Sequence, residues 1–187
     1  MSQRHENTLD ATHCALLVID VQEKFRPAMA DFDEMLAGCV RLVRTFRALD
    51  LPIIVTEQYP RGLGHTVDVL REALPEDVVI PEKTRFSSLG CEAAADQLSA
   101  SGCDQVLVCG IETHVCVNQT VHDLLADGNR VHVALDAIAS RRPSDRDVAL
   151  RRMAAAGTVL TTSEMAAFEL LVDAKHEKFR EVQGLFR

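Results

Sequence analysis

The sequence predicts an α/β fold: a three-layer sandwich in which a mainly parallel six-stranded sheet carries helices on both faces. Two observations predict it. Short apolar runs alternate with longer helical patterns along all 187 residues, the order produced by strand–helix–strand crossovers. The apolar runs are also nearly continuous rather than alternating with polar residues, as strands buried on both faces are. No internal repeat and no Pro/Gly/Ser-rich linker divides the chain, so residues 1–187 read as one domain, with the polar segment 1–13 as a loosely ordered tail.

Each element follows in order. Cys14–Asp20 (CALLVID) is the first strand. After a loop containing Pro27, the stretch Asp33–Leu49 places Met35, Leu36, Cys39, Val40, Val43 and Phe46 on one helical face. Pro52–Thr56 is the second strand, Thr66–Ala73 a short helix, and Val78–Ile80 the third strand, leading into Pro81-Glu-Lys83. Leu89–Ala100 is helical and stops at Gly102. Gln105–Gly110 is the fourth strand, and a helix from Val115 to Ala126 ends at Gly128. Arg130–Leu135 is the fifth strand. Ser144-Asp-Arg-Asp147 has capping-box spacing and opens a helix that ends before Gly157. Thr158–Thr161 is the sixth strand, Ser163 caps a helix through Leu171, and Glu177–Phe186 is an amphipathic tail.

Composition narrows the function classes. Hydrophobic residues make up 47% and charged residues 26%, enough for a full core and a charged surface. Acidic residues number 28 against 20 Lys plus Arg, a formal charge of −8. That balance disfavours nucleic acid or an anionic membrane as partner, because both require a basic face, while a single local Lys or Arg still suffices for an anionic substrate. The N-terminus carries no apolar leader and no run is long enough to span a bilayer, so the expectation is a cytoplasmic protein with reduced thiols. Its six cysteines (14, 39, 91, 103, 109 and 116) form no C-x-x-C pair, which leaves zinc ribbons and thioredoxin-type sites unsupported. Most are expected to be small buried hydrophobes.

Ligands of open parallel sheets bind beyond the carboxyl ends of the strands. Three polar features lie there: Asp20 after the first strand, Lys83 just beyond the third, and the turn Glu112–Cys116 after the fourth. Each alone has an ordinary structural reading, as a turn cap, a solvated charge and a packing thiol. Together they have chemical logic. A thiol attacks as its thiolate, so a reactive Cys calls for a helix N-terminus or a cation to lower its pKa. Thr113 as helix cap would put Cys116 in the first turn, Lys83 would supply the cation, Asp20 would take the proton, and free amides of the turn would hold an oxyanion.

The segments Leu17-Val-Ile-Asp-Val-Gln22, Pro81-Glu-Lys-Thr-Arg-Phe-Ser87 and Cys109-Gly-Ile-Glu-Thr-His-Val-Cys-Val117 resemble, in order and spacing, the isochorismatase-like cysteine hydrolase superfamily. The resemblance runs from about Ala15 to Leu171, and Thr56-Glu-Gln-Tyr-Pro60 with Leu63-Gly64 is similar to the short isochorismatase domain-containing proteins. It implies a catalytic set of Asp20, Lys83 and Cys116, a non-proline cis peptide joining Ile111 to Glu112, and an oxyanion hole from the amides of Glu112 and Cys116. It implies a cofactor-free hydrolase of a small amide or related acyl compound, working through a thioester as a homo-oligomer, with apolar helix faces or the tail around Phe179 and Phe186 at the interface. A different reading keeps the fold and makes the protein a binder of a small molecule or partner without turnover.

Two departures refine this. Isochorismatases proper have a small residue in place of the nucleophile, so Cys116 points to thiol-dependent acyl chemistry. The Asp-x-His metal pattern of nicotinamidases is missing from Thr56-Glu-Gln-Tyr59; Glu57 and His65 remain as two side chains without supporting spacing, and no metal is expected. Gln22 and Arg85, inside the matched motifs, orient substrate or brace the catalytic set, and Phe25, Tyr59 and Phe86 either wall a small pocket or simply pack. His114 is close to the thiol but redundant as a base beside Asp20. His122 and His132 are read as packing or solvent-facing, Gly62-Leu-Gly64 lacks the remaining dinucleotide-loop glycine, and Asn118-Gln-Thr120 lies within a helix, unsuited to glycosylation.

Overall fold

Strand β1 (Cys14–Ile19) is buried along its whole length, and its side chains alternate between two cores. Leu16 and Val18 join the cluster under helices α1 (Phe32–Ala48), α3 (Asp68–Ala73) and α7 (Ser163–Leu171). Leu17 and Ile19 join the cluster under α4 (Glu92–Ser101), α5 (Asn118–Ala126) and α6 (Pro143–Ala155). A strand covered by helices on both sides has no solvent face, which is why its sequence is a continuous apolar run.

The computed structural model describes residues 4–187. Six strands lie in the order β3-β2-β1-β4-β5-β6, every neighbouring pair parallel: β2 is Ile53–Gln58, β3 Glu82–Lys83, β4 Gln105–Ile111, β5 Arg130–Ala139 and β6 Val159–Thr161. Helices on both faces complete the three layers. A four-residue helix α2 (Pro60–Leu63) and a final helix α8 (Phe179–Gly184) complete the α-helices. None of the described helices is long and apolar enough to cross a membrane, and all six cysteines are free thiols.

The structure moves several boundaries. The third strand is Glu82–Lys83 instead of Val78–Ile80. Val78 and Ile80 pack side-on against the core, and hydrogen bonding to β2 begins at the Pro81 carbonyl, which accepts the Glu57 amide at 3.1 Å. Strand β2 runs two residues past the expected Thr56 and β5 four past Leu135, because β3 pairs with β2 at Glu57 and Gln58 and β4 pairs with β5 at Ile138 and Ala139. The cap of α7 is Thr162, whose side chain accepts the Met165 amide; Ser163 instead donates to Asp136. Ser144 lies inside α6, which starts at Pro143 without a side-chain cap.

Of the segment 1–13, expected to be a loose tail, residues 1–3 lie outside the described residues. Leu9 is fully buried, its amide donates to Glu169, and Asp10 N–H donates to Gln105. The C-terminal aromatics are occupied within the chain: Phe168 meets Phe179 edge-on at 6.1 Å and Phe186 at 6.3 Å. They fill a small third cluster around Leu171 and Val182, so the tail aromatics pack on their own subunit.

His132 is fully buried in β5, and neither ring nitrogen has a hydrogen-bond partner. Burial pushes its pKa down to about 4 from an ordinary 6.5. Below pH 6.5 the unfolded chain takes up a proton that the native chain refuses, so stability present above that pH is lost as pH falls toward 4. The loss from this residue amounts to about 3 kcal/mol at the acid end. Urea midpoints measured at pH 7, 5.5 and 4.5 should fall in the wild type, and fall less in His132→Leu.

Candidate active site

Three neighbouring strand ends supply the polar residues. Asp20 follows β1 with φ +54°, a left-handed conformation that Asp tolerates better than most residues. Its amide donates to the Thr56 carbonyl at 3.0 Å, which ties it to β2. On the other side of β2, the register pairs Gln58 with Lys83. The Lys83 ammonium shares its three hydrogens among four acceptors within reach: Asp20 Oδ2 at 2.7 Å, Gln58 Oε1 at 2.7 Å and the carbonyls of Phe86 (2.9 Å) and Arg85 (3.2 Å). Both charged side chains are 1% exposed. A pair so deeply buried persists only when further partners replace the lost water, and these acceptors do so.

Strand β4 delivers the thiol. At Gly110, φ is +111°, and a Cβ there would sit 2.1 Å from the Ile19 carbonyl oxygen. Only glycine lets β4 lie this close to the end of β1. The Ile111–Glu112 peptide is cis, and one π-helical turn, Thr113–Val117, leads into α5. Such turns are frequent at functional sites. Cys116 lies in this turn, 7% exposed. Thr113 does not cap it: its hydroxyl donates to the Ala139 carbonyl at 3.0 Å, fastening the turn to β5. Among the described residues, no backbone hydrogen bond between elements uses the amide of Glu112 or Cys116.

A chain of buried hydroxyls joins the carboxylate to the thiol's turn. Thr56 Oγ1 donates to Asp20 Oδ1 at 2.8 Å and lies 3.4 Å from Ser88 Oγ. The Ser88 amide donates to Thr120 Oγ1 at 2.9 Å, and Thr120 Oγ1 donates to the Cys116 carbonyl at 2.7 Å. Each hydroxyl has one proton, so Thr56, which spends its own on Asp20, must accept from Ser88. All three side chains are fully buried.

The electrostatics differ from the sequence expectation of a lowered thiol pKa. Burial pushes the Cys116 thiol up to about 12, and the Asp20 charge adds to the rise, outweighing the opposing pull of Lys83. Burial also raises the pKa of Asp20 against the opposing effects of Lys83, Thr56 and Cys116. The resting group is therefore a neutral thiol near a carboxylate of raised basicity and an ammonium ion.

Cys116 opens onto a cavity of about 500 Å3. Its apolar wall is Phe25, Tyr59, Leu63, Phe86 and Val115, and its polar wall is Gln58, Glu112 and Arg141. Tyr59 adopts φ +38°, a left-handed conformation uncommon for an aromatic residue. Two sequence candidates lie elsewhere. Gln22 is buried behind the site and staples loops, accepting the Gln58 amide at 2.8 Å and donating to the carbonyls of Gln58 and Gly64. Arg85 is exposed; its carbonyl binds Lys83 while its side chain lies over Gly90. Glu57 and His65 pair with each other at 2.9 Å, and the second Glu57 oxygen is taken by Thr66. His114 is 3.0 Å from Ser140.

Sequence reasoning missed Thr56, Gln58, Thr120 and Arg141. Polar residues closing an apolar strand were a usable signal for the first two. Arg141 meets Glu112 from 29 residues away, and no local pattern marks it.

The isochorismatase domain family matches residues 14–165. Isochorismatase domain-containing protein 1 of Salmo salar is 43% identical over 90% of the chain, which spans 59% of that relative's length. Among solved structures, the MAR1 ribonuclease of Caenorhabditis elegans is 44% identical with a TM-score of 0.90, covering 95% of this chain and 91% of its own. Two YcaC proteins superpose equally well. That of Pseudomonas aeruginosa, solved with hexane-2,5-diol and covalent acrylamide, is 29% identical with a TM-score of 0.90, covering 98% and 93%. That of Escherichia coli, described as an octameric hydrolase of unknown specificity, is 25% identical with a TM-score of 0.91, covering 98% and 91%. By fold, by sequence and by the match across residues 14–165, the chain belongs to the isochorismatase family and has its hydrolase fold.

Proposed function

We propose that the protein is a cysteine hydrolase of small amides or related acyl compounds. The observation that carries this reading is the convergence, beneath one small cavity, of the Cys116 thiol with the buried Asp20–Lys83 pair. Cys116 Sγ attacks the substrate carbonyl carbon as its proton passes to Asp20. The carbonyl electron pair moves onto oxygen, and the amides of Glu112 and Cys116 receive the oxyanion. Collapse breaks the C–N bond, and Asp20 returns its proton to the leaving nitrogen, leaving a thioester on Cys116. Water, deprotonated by Asp20, then attacks the thioester, and the thiol leaves with the proton. Lys83 favours the ionised form of Asp20 before each proton transfer and offsets negative charge on sulfur.

A thiol, a base and a cation together exceed what a pure binder requires. The covalent acrylamide of the P. aeruginosa relative supports an electrophile-accepting group in this fold. The formal charge of −8 and the small, largely apolar cavity favour a compact substrate over a polynucleotide. We further propose a homo-oligomer, in line with the octameric E. coli relative, assembled through helix faces that expose Val69, Val148 and Met165.

The test is a panel of small amides assayed in parallel with wild type and Cys116→Ala. The variant should lose at least about 10³-fold in kcat/KM, and quenching the wild type during turnover should leave an acyl adduct on Cys116 detectable by mass spectrometry. Equal rates for the two proteins would reject the mechanism and favour binding without turnover.

A further inference from the structure

The polar wall of the cavity carries more than the hydrolytic step uses. The Glu112 side chain is 7% exposed. Its Oε2 is occupied twice by one residue, accepting the Arg141 amide at 3.2 Å and Arg141 Nε at 2.9 Å. Its Oε1 accepts no hydrogen bond from any described residue, although Glu112 lines the cavity. Arg141, which also lines it and is half exposed, spends only Nε on Glu112 and leaves both Nη groups without an acceptor among the described residues. The wall thus presents a fixed anionic acceptor next to two cationic donors.

Glu112 Oε1 keeps access to solvent on the cavity side, so a ligand that displaces water there must supply a donor or leave a carboxylate oxygen unpaired. A ligand that does so must bring an N–H or O–H donor. Arg141 Nη–H groups on the same wall call for a carbonyl oxygen beside that donor. A free carboxylate at this point is repelled by Glu112, and an ammonium by Arg141, so a net charge of either sign is opposed. A neutral planar group with both functions, a second amide or a ureido group, satisfies both sides.

We propose that Glu112 and Arg141 form a specificity subsite for a second amide or ureido group, so that the substrate class is a small compound bearing one such group in addition to the scissile carbonyl. This deepens the proposed hydrolase reading, since it assigns that cavity its far contact. It explains why the ion pair sits on the cavity wall, where an apolar pair would make the same shape without polar selectivity. The apolar wall of Phe25, Tyr59 and Phe86 then accommodates the hydrocarbon between the two groups.

Protection of Cys116 from iodoacetamide tests this without requiring turnover. The probes are malonamide, succinamide and glutaramide, against propanamide, butanamide and pentanamide of matching chain length, with succinamate and β-alaninamide as charged controls. At least one diamide should protect at a concentration about tenfold lower than its monoamide partner, the magnitude of one added hydrogen bond to a charged group. Arg141→Leu and Glu112→Ala should each erase that ratio, while Arg141→Lys should restore part of it. Diamides no better than monoamides, or preferential protection by succinamate or β-alaninamide, would overturn the subsite. The hydrolase reading fails separately: diamides would then protect selectively, but no member of either series would release ammonia with the wild-type protein.

Discussion

Replacing Asp20 with asparagine should have opposite effects on catalysis and on thiol reactivity. Turnover should drop by about 10³-fold, because no group remains to carry the proton from Cys116 to the leaving nitrogen. Alkylation of Cys116 at pH 7, by contrast, should accelerate. Burial and the Asp20 carboxylate together hold the thiol up near 12. Without the carboxylate, the Lys83 ammonium, which lowers the thiol pKa, faces sulfur alone, and a thiolate becomes its natural counter-ion. Rates of iodoacetamide labelling between pH 5 and 10, with the modified residue located by mass spectrometry, check this. Slower labelling in Asp20→Asn at every pH would show that the carboxylate activates the thiol in the resting protein and would remove the attack-step mechanism.

The second large effect concerns stability. Lys83→Met should destabilise the fold by about 3–5 kcal/mol, because it strands a carboxylate that is 1% exposed without its cation. The loss should be greatest at neutral pH and shrink as pH falls, since a protonated Asp20 no longer needs a partner. Asp20→Asn combined with Lys83→Met should cost less than the sum of the single changes, because the double variant buries no unpaired charge. Urea denaturation at pH 7 and pH 5 measures all three. Strict additivity would mean that the two groups do not depend on each other in the native state.

These expectations separate what was legible in the sequence from what was not. Asp20, Lys83 and Cys116 were legible because each stands at the end of an apolar run or just after it, in a fold whose ligands lie at strand ends. The chemistry of the thiol was not. Its pKa direction depends on how much water reaches Sγ and on whether Asp20 or Lys83 dominates nearby, and both are matters of distance across three strands. Thr113 illustrates the same limit: a Thr just before a helix reads as a cap, yet its hydroxyl goes to Ala139, contributed by a strand 26 residues on. Val78–Ile80 read as a strand because local pattern cannot tell side-on packing from ladder pairing.

The sequence by itself determined the layered parallel architecture, the polar residues that stand at its strand ends and the family to which the chain belongs, because these follow from apolar periodicity and from local motifs. Tertiary structure alone decided the rest. It set the ion pair at 2.7 Å, the hydroxyl chain from Asp20 to the turn of Cys116, and the meeting of Glu112 with Arg141 on the cavity wall. Each of these joins residues far apart in the chain, and electrostatic and hydrogen-bond energies are set by separations of a few ångströms that only the packed fold determines.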